Sequence, residues 1–173
     1  MKKYAALLAA VLALALFCAA VCGCSEKSDY SKAEAYRELF DEDDSAVQRE
    51  LKNFIIRQIE RYNRGEIEAY ASGFDWEQSD RDAFAAQFSK TAKNIKTEQT
   101  VGTLRAVVLD SNQDQAQVGA LIRTVLTDRS SGEVLDDHYN RVTYTLSRRE
   151  GTWYITEVQT GADQYAVSSD TEE

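Results

Sequence analysis

The residues most able to move a proton in this chain are its single histidine, His138, and the two aspartates before it, Asp136 and Asp137. A histidine that is oriented by a carboxylate can serve as a general base near neutral pH. Successive residues of a strand point to opposite faces, so Asp137 cannot readily orient His138. We therefore expect a polar histidine near a strand end rather than a catalytic base. With one histidine we also expect no transition-metal site and no cofactor.

Thiol chemistry is confined to the N-terminal part of the chain. All three cysteines, Cys18, Cys22 and Cys24, lie within or just after an Ala/Leu/Val-rich run that begins at Tyr4 and follows two lysines. The chain becomes polar at Ser25. A basic start, an apolar stretch and small residues before a cut are the marks of a secretory signal. The sequence therefore predicts export and leaves the folded part of the chain without a thiol nucleophile or a disulfide.

The residues around Cys24 resemble the lipobox of bacterial lipoproteins, with Val21 three positions before the cysteine and Gly23 directly before it. In that family the matching cysteine is lipidated on its sulfur and becomes the mature N-terminus. The resemblance implies a signal peptide over residues 1–23 and lipidation at Cys24. It also implies a lipid anchor in the cell membrane, with the domain on the extracytoplasmic side.

Two other interpretations of the N-terminal run stay open. The run approaches the roughly 18 apolar residues at which a membrane-spanning helix becomes plausible, so it could remain as an uncleaved anchor. The third interpretation is ordinary secretion. Cys22 fits the lipidated position less well, because Val21 would then stand at the cut.

The charge of the exported part argues against several partners. Residues 1–23 hold two lysines and no acid, so their removal takes the formal net charge from −9 to −11. A domain this acidic repels nucleic-acid phosphates and anionic lipid surfaces. We therefore expect no nucleic-acid partner.

The 9 Tyr, 6 Phe and 2 Trp are enough to build a core.

Composition divides the exported chain into three parts. Residues 24–44 are rich in serine and acid, which indicates a tether. Residues 45–160 carry the periodic apolar pattern of one folded domain, and residues 161–173 indicate an acidic, disordered tail.

Helical periodicity begins at Ser45, which fits a capping box with Gln48. Apolar residues then recur at spacings of three and four, which predicts an amphipathic helix with a charged face opposite. The apolar stripe is Val47, Leu51, Phe54, Ile55, Ile59 and Tyr62, and the charged face is Arg49, Lys52, Arg57 and Glu60. Gly65 ends this helix. A short helix over 66–72 and a third that starts near Ser79 follow.

After Ile95 the apolar period changes to two, which predicts strands. The first strand runs over 97–110 with a bulge near Gly102. Alternation marks the second and third strands at Val118, Ala120, Ile122, Thr124 and Leu126, and at His138, Asn140, Val142, Tyr144 and Leu146. A tight hairpin at Glu150 and Gly151 leads into the last strand. The pattern predicts an α+β fold, with N-terminal helices packed on a curved antiparallel sheet of about four strands.

Two segments resemble the nuclear transport factor 2-like superfamily, which includes ketosteroid isomerases and polyketide cyclases. Residues 62–70, Tyr-Asn-Arg-Gly-Glu-Ile-Glu-Ala-Tyr, are similar to its first helix-to-helix junction, and residues 151–158, Gly-Thr-Trp-Tyr-Ile-Thr-Glu-Val, to its last strand. The resemblance covers about residues 45–160 and implies a cone-like domain. Many members carry a strand hairpin where this chain has only residues 73–77. We therefore expect a shortened, partly open cone.

The isomerase chemistry of that superfamily needs a carboxylate base and hydroxyl donors in an apolar pocket. The resemblance places Asp75, Asp80, Asp82 and Asp110 nearest the mouth, with Tyr70 or Tyr144 as donors. No motif gathers these residues into one set. Asp80 and Asp82 suit the first turn of a helix, where negative charge is favourable. Trp76 and Trp153 are more typical of a core than of a pocket wall.

These patterns favour a non-catalytic binding or accessory domain at the cell envelope, in which Tyr144, Trp153 and Ile155 face a ligand on a concave sheet. The expected partners are the membrane, through the lipid anchor, and an envelope protein, a peptide or a small molecule. The alternative is a small envelope enzyme of the ketosteroid isomerase or polyketide cyclase type. A paired acid and donor in an enclosed apolar cavity would favour the enzyme, and an aromatic-filled sheet face would favour binding.

Overall fold

A computed structural model describes residues 39–166, with side chains described through residue 161. The predicted signal peptide, Cys24 and most of the predicted tether lie outside the described residues. Three helices come first: α1 (Ala46–Asn63), α2 (Ile67–Ala71) and α3 (Gln78–Thr91). Four strands follow: β1 (Ile95–Val108), β2 (Gln115–Asp128), β3 (Val134–Arg149) and β4 (Thr152–Ala166). The predicted α+β arrangement is confirmed. In the part of the chain described, no helix is both long and apolar enough to cross a bilayer.

The first helix begins and ends where the sequence predicts. Ser45 and Gln48 form the full capping box, with each side chain bonded to the other's backbone N–H. Gly65 follows the last turn with a φ of +70°, a conformation that costs glycine little. Leu51, Ile55 and Ile59 are buried against the sheet, which confirms the apolar stripe.

Lys52 was predicted on the exposed face of α1, and this prediction is wrong. Its side chain is only 1% exposed, and its Nζ lies 2.7 Å from Asp44 Oδ2 and 3.1 Å from Asp41 Oδ2. Leu39 joins the hydrophobic core. The last residues of the predicted tether therefore fold back onto α1, because the lysine provides a cationic partner for their carboxylates and Leu39 an apolar contact.

The four strands form one antiparallel sheet in the order β1-β2-β3-β4. The register shifts between Val101 and Thr103, which confirms the predicted bulge at Gly102. Positive φ angles at Glu150 and Gly151 form the predicted tight turn. One face of the sheet points toward the helices and carries the alternating buried residues of β2 and β3. The predicted end of the domain at residue 160 falls inside β4, which continues to Ala166.

The short link between α2 and α3, residues 73–77, pairs with the last strand. Phe74 forms a parallel bridge with Ile155 on β4, through Ile155 N–H to Gly73 O (2.8 Å) and Asp75 N–H to Ile155 O (2.9 Å). The Arg149 guanidinium donates to both carboxylate oxygens of Asp75, at 2.7 and 2.6 Å. The link thus pairs with the start of the edge strand and holds α2 and α3 against the sheet.

Candidate functional site

A cavity of about 350 Å³ lies between α3, the C-terminal end of α1 and the sheet. Its wall contains six aromatic rings, which are Tyr62, Tyr70, Trp76, Phe84, Phe88 and Tyr144. Ile95 and Val158 add aliphatic surface. A volume of this size is within the range of small-molecule sites, and a mostly apolar wall is typical of them.

Five of the six rings, those of Tyr62, Tyr70, Trp76, Phe84 and Phe88, are joined by ring contacts into one part of the wall. The Tyr62 ring meets Tyr70 and Phe88 edge-on, each with its centroid 5.3 Å away. Phe84 of α3 stacks on Tyr70 at 5.5 Å and lies 5.2 Å from Trp76. Aromatic pairs at such separations stabilise one another beyond the area they bury. The ring contacts therefore join α3 to α1, α2 and the link.

The three tyrosines give the wall three phenol hydroxyl groups. Burial raises the pKa of Tyr144 and of Tyr70, and the neighbouring phenols of Tyr144 and Tyr62 raise that of Tyr70 further. Burial also raises the pKa of Tyr62, although a hydrogen bond with Thr97 partly opposes the shift. All three phenols therefore stay protonated at neutral pH and can donate to an oxygen of a bound molecule.

An asparagine fixes the sheet edge of the cavity. The Asn63 side chain accepts from the Gln99 N–H at 2.8 Å and donates to the Gln99 carbonyl at 2.7 Å, as a neighbouring strand would. This contact explains part of the junction motif over residues 62–70. It ties the end of α1 to β1 and holds Tyr62 in the wall.

The remaining polar wall residues carry positive charge or none. Among the described residues, the charged groups that line the cavity are Arg64, Lys96 and Arg129. No carboxylate or histidine of the described residues lines it. Arg64 pairs with Glu60 and Glu66, and Lys96 pairs with Glu98 at 3.0 Å. Arg129 is held through its backbone N–H, which donates to the Asn94 carbonyl at 2.8 Å.

The four aspartates that the resemblance placed near a mouth do not meet at the cavity. Asp75 is paired with Arg149. Asp80 lies in the first turn of α3, and Asp82 accepts from the Gln78 amide at 2.8 Å. Asp110 caps the turn after β1 by accepting from two backbone N–H groups. Each carboxylate thus has a local structural role.

His138 lies in a separate polar cluster on the helix-facing side of the sheet. Its Nδ1 is 2.6 Å from Asp136 Oδ2, although the contact is not aligned as a hydrogen bond. Asp137 lies on the other face and accepts from Arg123 at 2.7 Å, as strand alternation predicts. Thr124 on β2 pairs with His138 on β3, Asn140 lies two residues further along β3, and all three side chains are buried. The Thr124 Oγ1, both amide atoms of Asn140 and the His138 Nε2 have no hydrogen-bond partner in the described structure.

The proposed ligand-facing residues fall in two places. Tyr144 lines the cavity, whereas Trp153 and Ile155 are buried in the core and are not part of the described wall. Trp76, expected in the core, is half-buried and lines the cavity. The sequence did not mark Arg129, Thr124 or Asn140 as site residues. The only signal for Thr124 and Asn140 was their polar character at alternating positions that are otherwise mostly apolar.

Metal binding has no candidate in the described part of the chain, where no group of three or more His, Cys, Asp or Glu side chains could hold an ion.

The fold is similar to that of several solved structures. A Xanthomonas campestris protein assigned as a calcium/calmodulin dependent protein kinase II association domain matches with a TM-score of 0.53 at 19% identity, over 66% of this chain and 86% of its own. A Novosphingobium aromaticivorans protein assigned as an aromatic ring hydroxylase matches with a TM-score of 0.53 at 12% identity, over 67% and 90%. Another from that organism, assigned as a scytalone dehydratase, matches with a TM-score of 0.50 at 13% identity, over 68% and 85%.

At such identities the likeness establishes the fold alone, which is of the nuclear transport factor 2-like type. No protein-family model matches the sequence, and none of the curated proteins matches it.

Proposed function

We propose that this protein is a membrane-anchored, extracytoplasmic lipoprotein whose domain binds a small apolar molecule without transforming it. The observation that supports binding is the cavity of about 350 Å³ with an aromatic wall and three protonated tyrosines. Such a wall suits a ring-containing or similarly compact apolar body with an oxygen that can accept a hydrogen bond.

The arrangement of polar groups favours binding over catalysis. Acid–base catalysis needs a proton acceptor within hydrogen-bond reach of the reacting atom. In the described wall, the polar side-chain groups are phenols, amides, threonine hydroxyls and cations, with no carboxylate or imidazole. Protonated phenols are poor bases at neutral pH but can donate hydrogen bonds. They can orient a ligand without abstracting a proton from it.

Binding can be tested with N-phenyl-1-naphthylamine, a neutral apolar dye that fluoresces in apolar sites. A chain of residues 25–173 keeps the whole described core and lacks the predicted anchor. We expect saturable binding by this chain. Gln87→Trp should fill the cavity from α3 and abolish the signal, whereas Ala86→Trp, on the exposed side of the same helix, should leave it unchanged. A signal that survives Gln87→Trp in a folded protein would show that the dye binds elsewhere.

The anchor is tested separately at Cys24. In cells, Cys24→Ser or treatment with globomycin should leave a larger, unprocessed precursor in the membrane fraction. A mature-sized Cys24→Ser protein released into the medium would contradict lipidation and favour ordinary secretion. Cys22→Ser is the matched control and should be processed normally.

A second candidate function, a small enzyme of the isomerase or cyclase type, is favoured by the His138 cluster. The contact of His138 with Asp136 and the unpartnered atoms of Thr124 and Asn140 could serve a reacting group that reaches the sheet. The test is isomerisation of a β,γ-unsaturated steroid ketone by the purified domain. Turnover that is lost in His138→Gln and kept in Asp110→Asn would replace binding with catalysis at this cluster.

A further inference from the structure

The charge distribution around the cavity differs from that of the chain as a whole. The sequence has 29 acidic and 20 basic side chains, yet the charged groups of the described wall are Arg64, Lys96 and Arg129. A local excess of cations in an acidic protein has no evident role in packing an apolar wall. It does suit an anionic ligand.

The three cations are not equivalent. Carboxylates of α1 and of the α1–α2 turn neutralise Arg64, and Glu98 neutralises Lys96. For Arg129, the described residues provide no ion pair and no side-chain hydrogen bond. Its guanidinium therefore keeps its full charge and all its donors, and the exposed Arg129 is one of the residues that line the cavity.

The neighbouring carboxylate of Asp128 is occupied within its own turn. It accepts from the backbone N–H groups of Ser130 and Ser131, at 2.8 and 2.9 Å, and from the Ser130 hydroxyl at 2.6 Å. These bonds shape the turn that follows β2. The backbone bond from Arg129 to Asn94 then holds the arginine beside the loop that joins α3 to β1. The turn thus places Arg129 at the cavity, while the Asp128 carboxylate is bonded to Ser130 and Ser131.

We infer that the cavity takes apolar molecules that carry one anionic group, a carboxylate or a sulfonate, with the apolar body among the aromatic rings and the anion at Arg129. This inference rests on the proposed function and specifies its ligand class. Arginine suits such a group because its planar guanidinium can donate two parallel hydrogen bonds to one anion. The negative charge of the rest of the domain opposes the anion only weakly, since 0.1 M salt screens charges beyond about 10 Å.

Two dyes with the same ring skeleton make the test sharp. 8-Anilinonaphthalene-1-sulfonate differs from N-phenyl-1-naphthylamine by one sulfonate group. With the chain of residues 25–173, we expect the sulfonate to bind more tightly than the neutral dye at about 0.1 M salt and to lose that advantage as salt rises toward about 1 M. Gln87→Trp should abolish the signal of both dyes, which would assign both to the cavity.

Arg129→Gln should weaken binding of the sulfonated dye about fivefold, the upper end for a partly exposed ion contact, and change that of the neutral dye by less than about twofold. Arg57→Gln makes the same charge change on the exposed face of α1 and should alter neither dye. Equal effects of Arg129→Gln and Arg57→Gln, or none from either, would overturn the inference. If the neutral dye binds and the sulfonated dye does not, this inference alone fails. If neither dye binds the unaltered chain, the proposed function fails with it.

Discussion

The two ends of the helix-facing side of the sheet differ in how helices cover them. At one end α1 buries Leu51 and Ile55 fully, with Phe74, Leu146 and Ile155 among their neighbours in the core. At the other end α3 has no fully buried residue and reaches the rest of the domain through ring contacts. The same side of the sheet thus bears a close-packed core at one end and a cavity at the other.

The difference follows from side-chain shape. Aliphatic chains interdigitate and fill space to crystal-like density. The rings around α3 border the cavity of about 350 Å³ instead of filling it. We therefore expect the core end to contribute most of the stability, whereas the aromatic end contains the cavity.

The largest expected effect is at the core end. Leu51→Ala or Ile55→Ala should lower the free energy of unfolding by roughly 2–5 kcal/mol, because each removes a fully buried side chain and leaves a cavity. Phe84→Ala in the cavity wall should cost less, about 1 kcal/mol, since its ring already borders empty space. Urea denaturation measures both. A loss under about half a kcal/mol at Leu51 and Ile55 would contradict the assignment of the packed end.

The ion pair beneath the start of α1 should come next. Lys52→Ala should cost roughly 3 kcal/mol, the lower end for a buried pair that loses one partner. Arg57→Ala, an exposed change on the same helix, should stay within about half a kcal/mol. If the two substitutions cost the same, the contact between α1 and residues 39–44 adds nothing to stability.

The same pair predicts a pH dependence. Burial alone would raise the pKa of Asp44, but the hydrogen bond from Lys52, the Asp41 N–H and the nearby cations together lower it below 3.8. A depressed pKa stabilises the fold above the unfolded-state value, and this contribution is lost as pH falls through the folded-state value. Stability should therefore decline in acid below about pH 4, and less steeply in Lys52→Ala. If the free energy of unfolding falls equally with decreasing pH in both proteins, this role of Asp44 is contradicted.

The smallest expected effect on stability is at the hollow end. Tyr144→Phe keeps the ring and should change the free energy of unfolding at neutral pH by less than about half a kcal/mol. Because burial raises the pKa of Tyr144, its phenol contributes stability that is fully present below the unfolded-state pKa of 10. This stability is lost as the pH rises above that value. The wild-type domain should thus lose stability in alkali faster than Tyr144→Phe, as measured by urea denaturation between pH 8 and 11. Identical alkaline slopes would mean that the phenol is not shielded from water.

Most of the fold could be predicted because its signals are local. The capping box at Ser45, the stripe of α1, the bulge at Gly102 and the turn at Glu150 each depend on residues close together in sequence. Strand alternation likewise placed His138 and Asn140 on the buried side of β3. Where neighbours along the chain determine a structure, periodicity and turn chemistry are sufficient.

The site could not be predicted in the same way, because its parts come from distant segments. Lys52 has the spacing of an exposed residue, and only the return of residues 39–44 buries it. The size of the cavity depends on the distance between α3 and the sheet. Contacts between rings determine this distance, and the periodicity of the sequence does not predict it. Arg129 looks like an ordinary turn residue until the turn is placed beside the end of α3.

The ion pair of Lys52 also determines how an anchored domain would stand. The chain from the predicted lipid reaches the domain at residues 39–44, beside the first half of α1, whereas the cavity lies at the other end of that helix. Eighteen residues at 1.5 Å each make α1 about 27 Å long. In the proposed lipoprotein, the cavity would therefore lie at the end of α1 opposite to the one beside which the tether enters.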